Sequence, residues 1–111
     1  MEKFRGQIQL GFRYSEHLGP RYQSAGISIR FITHDTYNFE FLASWPEHNF
    51  SKAVEQGVLD GLRETGFDPD LGVHVVVENI EYDPVNSSEH AFYIAAKHVA
   101  SFRSTVNARS I

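Results

Sequence analysis

The residue types that can carry out chemistry are scattered along this chain of 111 residues. It contains no Cys, which excludes a thiol nucleophile, a disulfide framework and a thiolate metal site. It also lacks the Gly-x-x-x-x-Gly-Lys-Ser/Thr loop that cradles nucleotide phosphates and the Gly-x-Ser-x-Gly elbow of serine hydrolases. Of the six His residues, His90 and His98 share a helix but lie about two turns apart, which is far for one metal ion. We therefore predict a non-enzymatic protein without a metal, nucleotide or other cofactor.

The remaining candidate residues are Arg, Tyr and amide side chains, whose chemistry is binding. Residues 14–25 include the turn signal Gly19-Pro20 and are predicted to form a loop that carries Arg21, Tyr22 and Gln23. An exposed Tyr beside an Arg suits stacking on nucleic-acid bases or a protein interface. A Tyr folded back onto the core is an equally good interpretation.

A second candidate surface is the polar side of the strands. Alternation of polar and apolar residues predicts one strand face that is rich in Arg and amide side chains, a composition that can contact phosphates or a protein. A face that is merely solvated is the simpler interpretation. The predicted members are Arg5, Gln7, Gln9, Arg13, Ser28, Arg30, Asn38 and Glu40.

Charge and hydropathy limit the classes of partner. The net charge is −4, so the summed field repels phosphate and disfavours tight nonspecific binding of nucleic acid. No apolar run approaches the roughly 20 residues that span a bilayer, and residues 1–6 lack the apolar region of a signal peptide. We expect a cytoplasmic protein with no membrane partner. Its length predicts a single domain, 1–111, with a core over about 4–103 and a tail over 104–111.

Three strands are predicted before the first helix, and one strand after it. Apolar and polar residues alternate over 4–13, 26–33 and 37–43, as expected for half-buried strands. The short turn 34–36 predicts that the second and third strands pair as an antiparallel hairpin. The β-branched run 73–82 predicts a central strand. Aromatic residues make up 14% of the chain and predict an aromatic-rich core.

Two helices are predicted, over about 51–65 and 86–104. Ser51 and Asn86 are the expected N-caps, with Glu89 completing a capping box. Gly66 is expected in the left-handed conformation that ends the first helix. Gly57 and Gly61 weaken a solvated helix by up to about 1 kcal/mol each, so we expect them to allow a close approach to another backbone. The Ala91, Ala95 and Val99 stripe of the second helix is the expected partner.

The predicted order of elements is therefore β-β-β-α-β-α. A sheet must cover its apolar face, and two helices on one face accomplish this most simply. We predict an α+β fold, a two-layer sandwich with a four-stranded sheet and two helices on one face.

The second half of the chain resembles domain IV, the tip domain, of translation elongation factor G. The resemblance rests on Ala53-Val54-Glu55-Gln56-Gly57, on Gly66, on Glu81-Tyr82-Asp83 and on Ser87 to Ala96. Weaker similarities follow in the same order in the first half, at 12–16, 26–31 and 39–41. The resemblance implies the fold of the second domain of small-subunit ribosomal protein five.

The resemblance also implies a function. In the family this domain reaches into the ribosomal decoding region with two tip segments, which correspond here to residues 17–25 and Asp83-Pro84-Val85-Asn86. It implies binding of the ribosome or structured RNA, without GTPase activity. Together with the Arg- and Tyr-bearing segments described above, it makes Arg13, Arg21, Tyr22, Gln23, Arg30 and Pro84 the candidate residues for binding RNA or another partner. The alternative is a protein-protein interaction or oligomerisation module with no RNA role, using the sheet face or a strand edge.

Overall fold

The computed structural model of the protein describes residues 7–18, 21–46 and 48–109, apart from the side chains at 7, 17, 18, 21, 33 and 102–109. The elements, in chain order, are β1 (Gln7–Leu18), β2 (Arg21–Thr33), β3 (Tyr37–Phe41), α1 (Ser51–Glu64), a 3-10 turn (Pro69–Leu71), β4 (Val73–Glu81) and α2 (Glu89–Arg109). Both the α+β class and the order β-β-β-α-β-α are confirmed.

The most β-prone segment of the sequence, β4, lies inside the sheet. The strand order is β1-β2-β4-β3, with β4 antiparallel to β2 and parallel to β3. The successive residues Val75, Val76 and Val77 are all buried, as expected for a strand with neighbours on both edges. The prediction of a central strand is confirmed.

The predicted antiparallel hairpin between the second and third strands is wrong, because β4 separates β2 from β3. At Gly72 the chain enters β4 with φ +116° and lies against the backbone carbonyl of His34, which follows β2. The left-handed φ and this close approach both require glycine. The β4 strand therefore takes the place beside β2, and β3 pairs with the far edge of β4.

The predicted loop over 14–25 is also wrong, because β1 and β2 pair continuously across most of it. Their antiparallel register runs from Gln7 opposite Ile32 to Leu18 opposite Arg21. The turn signal itself, Gly19-Pro20, lies outside the described residues. Alternating residues on both sides of this signal satisfy the strand pattern, so the ladder extends farther than a loop prediction allows.

The core lies between the sheet and the two helices. Alternate residues of β2 and β4 point toward the helices, as their period of two predicts, and the apolar residues of both helices face them. The larger fully or nearly fully buried side chains are Ile27, Ile29, Phe31, Val54, Val58, Leu62, Val73, Val75, Val77, Phe92 and Val99.

The two helices run side by side in the same direction and touch through glycine, as predicted. A Cβ placed on Gly61 would lie 2.5 Å from the carbonyl oxygen of Lys97 and 2.8 Å from the Cβ of Ala100. At Gly57 it would meet the carbonyl oxygen of Tyr93 and lie 3.1 Å from the Cβ of Ala96. The partner surface is thus formed by Ala96, Ala100 and backbone rather than by the predicted stripe of Ala91, Ala95 and Val99, although all five residues belong to the same core cluster.

The helix ends differ from the predictions in their capping side chains. The α1 N-cap is Phe50, whose side chain has no hydrogen-bond acceptor, and the predicted cap Ser51 is the first helical residue. The Ser51 hydroxyl accepts a hydrogen bond from Trp45 Nε1 at 2.8 Å. In α2 the Ser88 hydroxyl, rather than Asn86, accepts from the amide of Ala91 at 3.1 Å.

The C-terminal end of α1 agrees with the prediction, whereas α2 extends beyond its predicted end. At the end of α1, Gly66 has φ +88°, which confirms the left-handed residue expected there. The α2 helix continues to Arg109, so most of the predicted tail is helical. Among the described residues, neither α1 nor α2 has the length and apolarity that a membrane-crossing helix needs.

Candidate functional site

The β1–β2 hairpin projects beyond the rest of the sheet. The ladder between β2 and β4 starts at Gly26 opposite Glu81, whereas β1 and β2 pair on to Leu18 and Arg21. The turn between β4 and α2 fills the space beside this projecting part of β2. We call the projecting hairpin residues 13–18 and 21–25, together with the turn 83–88, the tip.

Hydrogen bonds join the hairpin and the turn within the tip. The Ser24 amide donates to the Asn86 carbonyl at 3.1 Å, and the Ser87 hydroxyl donates to the Ser24 carbonyl at 2.7 Å. The Ser88 hydroxyl donates to Gln23 Oε1 at 3.1 Å. The two segments that the sequence resemblance assigns to a tip are therefore in direct contact.

The Asp83 carboxylate stabilises the turn of the tip through hydrogen bonds. It accepts hydrogen bonds from the amide of Val85 at 2.9 Å and from the amide and side chain of Asn86 at 3.2 and 3.0 Å. These bonds favour the charged form and hold the pKa of the Asp83 carboxyl below its ordinary value of 3.8. The turn is thus organised by an ionised carboxylate.

We expect the tip to loosen in acid because Asp83 titrates. Its pKa is lower in the folded than in the unfolded chain, so ionised Asp83 stabilises the turn above about pH 3.8, and this stabilisation is lost as the pH falls through the folded-state pKa. The measurement is the NMR shift of the Val85 and Asn86 amides between about pH 6 and about pH 2. Asp83→Asn should flatten this titration, and an unchanged titration in that variant would contradict the assignment.

The candidate Arg13 is paired with an acid across a glycine. Arg13 in β1 and Glu81 in β4 both lie opposite Gly26 of β2, and their side chains form an ion pair of 3.0 Å over it. A Cβ on Gly26 would lie 2.7 Å from the Cβ of Glu81. Since Gly26 has no side chain, the guanidinium reaches over β2 and is neutralised there.

The candidate Arg30 is likewise paired, but away from the tip. Its guanidinium forms an ion pair with Glu78 of β4, which also accepts a hydrogen bond from Gln9 Nε2 at 2.6 Å. Arg30 lies opposite Val76, well toward the other end of the sheet. The structure therefore does not bring Arg30 together with the tip residues.

The candidates 21–23 lie in β2 rather than in a loop. The Tyr22 hydroxyl is hydrogen-bonded to the Ser15 hydroxyl across the hairpin, and its side chain is half-buried. Gln23 faces Ser88. The Arg21 backbone belongs to β2, and its side chain lies outside the described residues.

The last candidate, Pro84, lies at the end of the tip. Its neighbour Val85 is 85% exposed, a large fraction for an apolar side chain. The turn of the tip therefore presents an exposed apolar side chain, Val85. The sequence analysis did not identify the hydrogen-bonding roles of Asp83, Ser24 and Ser87, although Asp-Pro-x-Asn-Ser is a composition typical of side-chain-stabilised turns.

A broad open cavity of about 930 Å³ lies between the N-terminal ends of α1 and α2, and its lining residues Glu89 and His90 directly follow the turn of the tip. Its polar lining includes Lys52, Gln56, Glu89 and His90, which are all exposed. Among the side chains that the structure describes, no three His, Asp or Glu residues converge as metal ligands would.

Comparison with known proteins shows the fold alone. No family model matches the chain, and no curated protein matches its sequence. A crystal structure of a protein from Thermus thermophilus is similar to it, with a TM-score of 0.79 and 24% identity. The match covers 89% of this chain and 16% of that protein, so this chain spans about a sixth of that protein's length.

Proposed function

We propose that this chain is a non-enzymatic domain of the elongation factor G domain IV type, which binds structured RNA such as that of the ribosome through its tip. The observation that carries the proposal is the direct contact between the hairpin residues 23–24 and the turn residues 86–88. Residues 23, 24 and 86 belong to the segments 17–25 and 83–86 that the sequence resemblance assigns to the tip, and residues 87 and 88 follow directly. A rigid, projecting end of this kind suits insertion into a groove or loop of a folded RNA.

The tip has groups that recognise unpaired nucleotides. Tyr22 presents an aromatic ring fixed through its hydroxyl, and bases stack on such rings whatever their identity. Gln23 and the Asn86 side chain add amide groups, and Pro84 with Val85 adds apolar surface at the end. We therefore expect recognition by stacking and shape more than by charge.

The electrostatics support a weak salt dependence. Arg13 and Arg30 are each neutralised by a Glu side chain, and the net charge of the chain is −4. Affinity for RNA falls steeply with salt only when many phosphate contacts release counterions. An RNA complex of this chain should consequently lose little affinity as salt is raised.

The test is a titration of structured ribosomal RNA with the full chain at about 50 mM and about 200 mM salt. We expect binding at both salt concentrations, and Tyr22→Ala should weaken it about 5- to 150-fold, the range for losing one stacked base. Tyr22→Phe keeps the ring and should retain most of the affinity. Arg63→Gln, exposed in the last turn of α1, is the control and should bind as the unchanged chain does. Absence of binding at low salt would overturn the proposal.

A protein-binding module is the second candidate, and the same charge pattern favours it. The described Arg side chains of the sheet face are matched by Glu78 and Glu81, which leaves a surface of mixed charge rather than a basic one. Surfaces of this kind with an exposed apolar point suit protein partners. This second function is the correct one if structured RNA does not bind but a ribosomal protein does. The Val85→Asp substitution should then lower the affinity for that protein.

A further inference from the structure

A small cavity lies on the outer face of the sheet, the face opposite the helices. In the register of the sheet, Gly11 of β1, Ser28 of β2 and Asn79 of β4 lie side by side across three strands. Directly opposite residues share a face, so these three form the floor of a cavity of about 250 Å³ that Arg13 and Glu81 also line. We call this cavity the outer hollow.

Polar side chains bound the outer hollow on two sides. One wall is the ion pair of 3.0 Å between Arg13 and Glu81. The other wall is Glu78, which pairs with Arg30 and accepts a hydrogen bond from Gln9 at 2.6 Å. Glu78 is the extra residue of the bulge in β4, and bulges re-aim side chains beside binding sites. The walls begin four residues apart in β1, which is about 14 Å at roughly 3.4 Å per residue.

The glycine in the floor of the outer hollow is not required by the protein itself. A Cβ on Gly11 would meet only the carbonyl oxygen of Ile27 at 3.8 Å, an ordinary contact, and the φ of Gly11 lies outside the left-handed region. By contrast, a Cβ on Gly26 would lie 2.7 Å from the Cβ of Glu81. A glycine weakens a strand and often marks the close approach of a ligand. The open floor at Gly11 therefore indicates a ligand on this face.

The wall formed by Arg13 and Glu81 has donors at one end and acceptors at the other. The hydrogen bond between them joins one guanidinium nitrogen, Nη1, to one carboxylate oxygen, Oε2. A guanidinium carries five N–H donors and a carboxylate about four acceptor sites, so both groups keep capacity for a ligand. The two side chains are also 60% and 63% exposed. A matching ligand presents neighbouring donors to Glu81 and neighbouring acceptors to Arg13.

We propose that the outer hollow binds one unpaired guanine base. Along its rim guanine presents the N2 amino group, N1–H, O6 and N7, which is two donors followed by two acceptors. The donors match the Glu81 carboxylate, and O6 with N7 is the pair of acceptors that Arg side chains bind in nucleic acids. Adenine, cytosine and uracil lack this order of groups. Without a side chain at Gly11, the flat base can lie against the floor.

A neutral base suits the outer hollow better than a phosphate does. Glu78 and Glu81 both contribute carboxylates to the walls, and these repel an anion. The net charge of −4 acts in the same direction. The hollow also borders the tip, since Arg13 belongs to both. That the guanine belongs to RNA rests on the proposed function, whereas the match between guanine and the wall does not.

The test is a titration of the full chain with three single-stranded uridine RNAs, which carry guanosine, inosine or adenosine at one central position. We expect the guanosine RNA to bind at least about fivefold more tightly than the adenosine RNA, the lower end of the discrimination by a bidentate base contact. Inosine lacks the N2 amino group and should bind with intermediate affinity. The amide NMR signals of Gly11 and Ser28 should shift on binding. Equal affinities for the three RNAs would overturn the proposal.

Two variants locate the preference for guanine in the outer hollow. Gly11→Val fills the floor with a side chain that suits a strand, and should reduce the affinity for the guanosine RNA to that for the adenosine RNA. Glu81→Gln keeps the size of the side chain but replaces one acceptor by a donor, and should have the same effect if Gly11→Val does not fold. The control is Asn38→Val, on the same face in β3, which should keep the preference. A preference that survives both hollow variants would contradict the assignment.

A second titration, with guanosine and adenosine monophosphates, separates this proposal from the function of the tip. Shifts of Gly11 and Ser28 with the guanosine compound alone, without RNA binding, would support the guanine site and overturn the proposed function. RNA binding that Tyr22→Ala weakens, but that shows no preference for guanine, would support the tip and overturn the guanine site. Equal shifts with both compounds would show that the hollow binds phosphate, and would also overturn it.

Discussion

Gly61→Ala should lower the free energy of unfolding by about 2–3 kcal/mol, although alanine is the better helix former. The added methyl would lie 2.5 Å from the carbonyl oxygen of Lys97, an atom of the α2 backbone that cannot rotate away. The helices must separate to accept it, and the loss of packing exceeds the gain in helix propensity of about 1 kcal/mol. Urea denaturation followed by circular dichroism measures the effect.

Two further variants show whether the backbone contact is the cause. Gln56→Ala lies on the exposed side of α1 and should change the free energy of unfolding by less than about 0.5 kcal/mol. Ala100→Gly added to Gly61→Ala removes a side-chain contact of 2.8 Å but leaves the Lys97 carbonyl in place. It should therefore recover only part of the loss. A full recovery, or an unchanged stability in Gly61→Ala, would mean that the two helix backbones lie farther apart.

The helix contact could be predicted from the sequence because glycine has a known cost. Gly57 and Gly61 lie one turn apart, and only a close approach compensates for two glycines inside a helix. Which residues of α2 they meet could not be predicted. Ala95 and Val99 are used by the core, and Ala96 and Ala100 on the neighbouring side of the helix face the glycines.

The strand pairing could not be predicted because alternation carries no information about the neighbour. The segments of β2 and β3 have the correct pattern and a short connection, which fits a hairpin. What decides the pairing is the non-local competition from β4, whose Val-rich segment gains most from a position with two neighbours. This pairing also depends on a close contact between Gly72, which precedes β4, and the backbone of His34. These two residues are 38 positions apart in the chain.

The sequence indicated which segments form the tip, but it did not indicate the hydrogen bonds and ion pairs that these segments make. The order of similar segments pointed to residues 17–25 and 83–86, and these segments do meet. The pairing of Arg13 with Glu81 depends on both residues lying opposite Gly26, and that register is fixed only in the folded sheet. The sequence therefore indicated Arg13 as a candidate contact for RNA, whereas the fold pairs it with Glu81.

Aromatic residues gather at one end of the core, around Phe92. Its ring centroid lies 4.9 Å from that of Trp45, 6.0 Å from that of Phe50 and 6.2 Å from that of Tyr82. Trp45 also stacks on Phe41 at 5.0 Å. These residues come from β3, the segment before α1, the end of β4 and α2, so one cluster of rings connects four parts of the chain.

Phe92→Ala should therefore lower the free energy of unfolding by about 3–5 kcal/mol, the largest effect that we expect from a single substitution. Phe92 is fully buried, and its removal leaves a cavity among aromatic rings that pack poorly against alanine. Because Trp45 is the single Trp and lies against Phe92, its fluorescence reports the change directly during urea denaturation.

Two further variants separate the effect of the lost side-chain volume from the effect of the lost aromatic contact. Phe92→Leu restores most of the volume and should recover more than half of the loss, while the Trp45 emission stays altered because the edge-to-face contact is gone. Val85→Ala removes an exposed apolar side chain and should leave stability within about 0.5 kcal/mol. A loss below about 1 kcal/mol for Phe92→Ala would show that the rings close over the gap. In that case this end of the domain would not depend on Phe92 for its packing.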